Sequence, residues 1–160
     1  MLVILTIVMV FVAYTVPRMW SDVLRRDRER QTIFVMKQYA RAIAEFQRQR
    51  GALPTTLEQL EEHKRPRVLR QLYPNPLTGK MDWLLVPVTT NPHSPTTDGA
   101  PHRPLPIMTH GPFIGVRPAV TGRSLTAFRG ATDYGEWVYT IADLQQDRQQ
   151  AIQATQTPTH

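Results

Sequence analysis

The chain has 160 residues, a formal net charge of +6 and no cysteine. The missing cysteine excludes disulfides, thiolate catalysis and Cys-based zinc sites. The charge excess sits in residues 18–50, where nine Arg/Lys face four Asp/Glu, while residues 51–160 carry ten against nine. A nucleic-acid interface would spread basic residues and aromatics over a folded face, so no nucleic-acid partner is expected.

Residues 1–17, MLVILTIVMVFVAYTVP, are uncharged and almost wholly apolar. A secretory signal peptide would open on basic residues and close on a small-residue cleavage site, and neither pattern is present. A buried core helix fits the length, because a spanning helix wants ~20 apolar residues. The preferred reading is a transmembrane segment that continues upstream of Met1 by roughly five or six apolar residues. Its packing residues are Leu2, Ile4, Leu5, Val8, Phe11, Val12 and Pro17. Pro17 predicts a bend or a short unwound stretch, since proline removes one backbone bond and crowds the preceding turn. Arg18, Arg25, Arg26, Arg28 and Arg30 come next and suit anionic lipid headgroups. Taken alone, the positive-inside rule would place the domain beyond these arginines in the cytoplasm.

Residues 18–50 form an amphipathic helix. Met36, Tyr39, Ala40, Ile43 and Phe46 recur at the three-and-four spacing of one face, which predicts core packing of that face on the domain beyond. Gly51 suits the helix stop. Residues 51–144 then read as one small globular head. Leu53–Glu62 predicts a short helix, with Thr55 and Glu58 as a capping box. Tyr73–Lys80 is dense in turn residues and feeds a strand at Trp83–Val88, whose Pro87 suits an edge or a strand end. Residues 89–110 predict a long exposed loop. Strands are expected at Gly111–Val116 and Ser124–Phe128 with a turn at Gly122. Arg129–Gly135 reads as a loop, and Glu136–Ile141 as the last strand. Residues 145–160 are a flexible tail, a frayed helix or disorder.

Neither a catalytic nor a metal-ligating constellation emerges. His63, His93, His102, His110 and His160 never stand in a metal spacing. A metal-dependent hydrolase built on His93, His102 and Asp98 ranks last, because a loop of that composition does not preorganise ligands. Adjacent Glu61 and Glu62 point about 100° apart on a helix and cannot act as a pair. Ser124 lacks a nucleophile elbow. The protein is expected not to be an enzyme and to need no cofactor.

Taken in order, the apolar helix, Pro17, the basic segment, FQRQRGALPTTLEQL (46–60) and NPLTGKMDW (75–83) resemble the type IV pilin superfamily, and within it the major pseudopilins of type II secretion systems. The two later stretches are similar to that family's "YP-T---L" and "DP-TGK-DW" passages. GPFIGV (111–116) and YGEW (134–137) are similar to the closing strands of its heads. The resemblance implies an α+β fold, a long N-terminal helix packed on a small antiparallel sheet. It also implies a single-pass subunit of the bacterial inner membrane, with the head in the periplasm or in an extracellular filament. There residues 1–17 would pack in the filament core, against other copies, other pseudopilins and an inner-membrane assembly platform. Members of that family begin with a basic leader, a cleavage glycine and an early glutamate, and the resemblance places Met1 just after that glutamate. Some members hold calcium in the head. Asp98 and Asp133 lie in loops but give no ligand set. The alternative reading is a monomeric membrane-anchored binding module that uses the 89–110 loop.

Overall fold

A computed structural model describes residues 2–62, 68–88 and 110–156; the side chains of residues 2, 12–20, 62 and 156 lie outside the description. The fold is α+β. A 49-residue helix, α1 (Leu2–Arg50), leads into a short helix α2 (Glu58–Glu62). Strands β1 (Trp83–Pro87), β2 (Phe113–Pro118), β3 (Arg123–Phe128) and β4 (Ala131–Asp133) come next. A 3-10 turn at Tyr134–Glu136, a two-residue strand β5 (Tyr139–Thr140) and a helix α3 (Ile141–Gln156) complete the order.

The helical stripe of the sequence becomes the spine of the core. Met36, Tyr39, Ala40 and Ile43 are fully buried and Phe46 nearly so. They pack with Leu60, Trp83, Leu85, Phe113, Val116, Trp137 and Tyr139. Each large apolar side chain taken from water here contributes about 1.5–3 kcal/mol. This burial, more than helix propensity, holds the second half of α1 in place.

β1, β2 and β5 form an antiparallel sheet in that order, and β3 pairs with β4 in a separate two-stranded sheet. β1 is an edge strand and Pro87 is its last residue, at a register irregularity. Proline is tolerated in that place because the edge needs no donor from it. Gly115 lets β2 approach β5, since a Cβ there would stand 2.3 Å from the Tyr139 carbonyl oxygen. Arg129 (φ 51°) and Gly130 (φ 87°) make a two-residue hairpin turn with both central residues left-handed.

Several sequence expectations shift. α1 runs unbroken through Pro17, so no unwound stretch occurs there. Proline deletes only one ladder bond, and the turns on either side continue. The second helix is confined to Glu58–Glu62. Its cap uses Gln59 rather than Glu58: the Gln59 carbonyl accepts from the Thr55 N–H at 2.9 Å, and its amide donates to the Thr55 hydroxyl at 2.9 Å. Arg129–Gly135, read as loop, holds the hairpin turn and β4. The expected strand at Glu136–Ile141 shrinks to Tyr139–Thr140. Asp143 explains the truncation, accepting from the Thr140 N–H at 2.8 Å and hydroxyl at 2.7 Å and so starting α3 early. Residues 145–156 of the expected tail continue α3. The 89–110 loop lies outside the described residues apart from His110, which is exposed.

Candidate assembly surface

The proximal end of α1 is a bare apolar cylinder. Val3, Ile4, Leu5, Ile7, Val8, Met9, Val10 and Phe11 are each 54–73% exposed. Successive residues turn by 100°, so these positions cover every side of the helix. Thr6 is the polar interruption, and its hydroxyl donates to the Val3 carbonyl at 2.8 Å, leaving little to hydrate. Of the expected packing residues, Ile4, Leu5, Val8 and Phe11 lie on this cylinder. The side chains of Leu2, Val12 and Pro17 lie outside the described ones. Among the described residues, no helix is long and apolar enough to cross a membrane. Val23, Leu24 and Phe34 extend exposed apolar surface further along the same helix.

The head grips α1 from Arg25 onward. Glu29 is fully buried, and its two carboxylate oxygens accept from the backbone N–H groups of Leu125 (2.8 Å) and Thr126 (2.9 Å). The Tyr134 hydroxyl donates to the same carboxylate at 2.5 Å. Arg25 lies 3.8 Å from it, donates to the Tyr134 hydroxyl at 3.2 Å, and also reaches the Arg123 carbonyl. Burial alone would raise the Glu29 carboxyl, but the hydrogen bonds from Tyr134, Leu125 and Thr126 outweigh it and hold the group below its ordinary value. Arg25 is thereby diverted from the lipid role expected of it, whereas Arg26, Arg28 and Arg30 remain exposed. The side chain of Arg18 is not described.

A second polar clasp joins the β3–β4 turn to α3. Arg129 reaches Asp143 at 3.1 Å, Asp147 at 2.9 Å and the side-chain amide oxygen (Oε1) of Gln146 at 2.8 Å. Lys37 of α1 meets Asp147 at 3.1 Å, tying all three elements together.

The passage NPLTGKMDW turns out to build a turn. Asp82 accepts from the Asn75 amide at 3.0 Å and the Thr78 hydroxyl at 2.8 Å. Gly79 closes the turn at φ 72°, bonding back to the Asn75 carbonyl at 2.7 Å. The turn delivers Trp83, which donates to the Tyr73 carbonyl at 2.8 Å and packs edge-on against Tyr39, ring centroids 5.6 Å apart.

Ser124, Asp133 and Glu61 behave as structural or surface groups. The Ser124 hydroxyl lies 2.8 and 3.0 Å from the Thr126 and Thr132 carbonyls, and the Asp133 carboxylate accepts from the Gly135 N–H at 2.7 Å. Glu61 is exposed. His63, His93, His102, His160 and Asp98 lie outside the described residues. Among those described, no group of three or more His, Asp or Glu could hold a metal ion. No family model, no curated protein and no solved structure matches this chain.

Proposed function

We propose that the protein is a structural subunit, anchored in a lipid bilayer by the proximal end of α1, which assembles by burying that end among the equivalent helices of other copies. One observation carries the reading: a helix apolar on every side at Val3–Phe11, uncovered by its own head, runs without a break into the core of that head. A helix of that kind is stable only in lipid or among other helices. Moving between the two exchanges lipid contacts for protein contacts at little net cost.

The long helix on a small antiparallel sheet, together with the two head passages, supports a pilin-like subunit of a type II secretion or type IV pilus-like system. On that reading the head stands in the periplasm or on an extracellular filament, and the subunit acts through assembly rather than catalysis. The test is replacement of Ile4 or Val8 by Asp. A carboxylate near the bilayer centre costs about 2.5–3.5 kcal/mol on insertion scales, while neither residue touches the core. The variants should leave the membrane fraction with the head still folded. Full membrane retention and assembly of Val8→Asp would refute the anchor.

A further inference from the structure

β3 carries an unusual interruption. Arg123 pairs with Asp133 and Phe128 with Ala131, so residues 124–127 of β3 stand opposite Thr132 alone. In a regular strand consecutive N–H groups point to opposite edges. Here the consecutive N–H groups of Leu125 and Thr126 converge on one carboxylate, one oxygen each. Converging backbone donors of this kind make an anion-binding concavity. A phenol hydroxyl donates to the same carboxylate, and a guanidinium stands 3.8 Å away as its counter-charge.

We infer that the bulge of β3, with the Tyr134 hydroxyl and the Arg25 guanidinium, is a carboxylate-binding site that Glu29 occupies in cis. β3 and the 3-10 turn supply its hydrogen-bond donors and α1 its counter-charge, around one fully buried side chain. The groups that face it are Arg25 from α1, Tyr134 from the 3-10 turn, and, from β3, the backbone N–H groups of Leu125 and Thr126 with the Thr126 side chain. The arrangement fixes the axial register of α1 against the head. Hydrophobic packing along a helical stripe tolerates a slip of one turn better than a buried ion with three hydrogen-bond donors and a neighbouring guanidinium does. This register lock is independent of membrane anchoring and of assembly.

Chemical rescue tests it. The full chain is taken in detergent micelles, and thermal unfolding is followed by circular dichroism in sodium formate against sodium chloride at equal ionic strength. Glu29→Ala empties the site and leaves room for a formate ion, which reaches it past the half-exposed Arg25. Glu29→Gln keeps the site filled but sets an amide N–H₂ against one of the backbone donors. The expected result is that formate, but not chloride, stabilises Glu29→Ala, lowering its unfolding constant at least threefold by about 0.3 M, and leaves Glu29→Gln unchanged. Formate no better than chloride on Glu29→Ala, or equally effective on both variants, overturns the inference. If Glu29→Ala is unfolded in chloride, refolding on formate titration supports the site. Failure to refold, with wild-type amide-exchange protection of Leu125 and Thr126 in Glu29→Gln, overturns it.

Discussion

The hydroxyl of Tyr39 is the most exposed to test of the bonds that join α1 to the head. It donates to the Tyr73 carbonyl at 3.0 Å and accepts from the Tyr73 N–H at 2.9 Å. Tyr39→Phe removes both bonds and leaves the ring, with its edge contacts to Tyr73 (6.4 Å) and Trp83 (5.6 Å), in place. The Tyr73 carbonyl keeps Trp83 as a donor, so one N–H is orphaned rather than a pair. An unsatisfied buried donor costs about 1–3 kcal/mol. Because Tyr73 is half-buried, the lower half of that range applies, about 1–2 kcal/mol. For a chain of this size that lowers the melting temperature by roughly 2–8 °C. Tyr39→Ala, which also empties the core site, should cost about 3–5 kcal/mol.

The same residue sets an alkaline signature. Burial pushes the Tyr39 phenol up to about 12. A raised folded value gives stability that is fully present below the ordinary phenol range near 10 and is lost as pH rises toward 12. Tyr39→Phe should flatten that loss. It does not abolish it, because Tyr134 and Tyr139 are raised as well, chiefly by burial. Urea unfolding of the full chain in micelles at pH 8, 10 and 11 reads both effects. A Tyr39→Phe protein with wild-type stability at pH 8 and an unchanged alkaline slope would refute the reasoning.

Gly115→Ala drives a methyl into the Tyr139 carbonyl, which is backbone and cannot swing away; a loss of about 1–3 kcal/mol or more is expected in the same assay. Arg129→Ala removes the guanidinium beside the buried Asp143 carboxylate and should cost about 3 kcal/mol, whereas Arg129→Ala with Asp143→Asn should cost less than the two single changes combined, as a double-mutant cycle would report. On the acid side, the Glu29 and Asp147 carboxyls sit below their ordinary values, through the donors that outweigh burial in each case. Their stabilisation is therefore full above the ordinary carboxylate range and lost as pH falls through the folded values. Glu29→Gln should shallow the acid limb of an unfolding-versus-pH curve, and an unchanged limb would contradict the assignment.

The sequence made the spine of the fold legible because its signal is local. Met36, Tyr39, Ala40, Ile43 and Phe46 repeat with the helical period, and all five reach the core. Glu29 and Thr32 extend the same three-and-four series toward the N-terminus. A charged residue on an apolar stripe signals a buried partner, but beyond Arg25 one turn away its hydrogen-bond donors lie about a hundred residues off, on β3 and at Tyr134. Only the tertiary structure pairs residues so distant. The turn at Arg129 was hidden for a different reason: arginine rarely adopts positive φ, and only the ion pairs to α3 show what holds it there. The last strand is shorter than the strong strand character of Tyr139–Thr140 predicts, because the carboxylate that binds back to Thr140 as α3 begins, that of Asp143, sits three residues further on.

Crosslinking tests most directly whether the exposed apolar end of α1 meets other copies of itself. The native chain has no cysteine, so introduced thiols are unambiguous probes. An Ile4→Cys/Phe11→Cys double variant, oxidised in the membranes of expressing cells, should give a ladder of disulfide-linked species beyond the dimer. A Met81→Cys control, on an exposed residue of the head, should give far less crosslinking. Double-variant protein that sits in the membrane fraction yet stays monomeric on oxidation would contradict assembly through this helix.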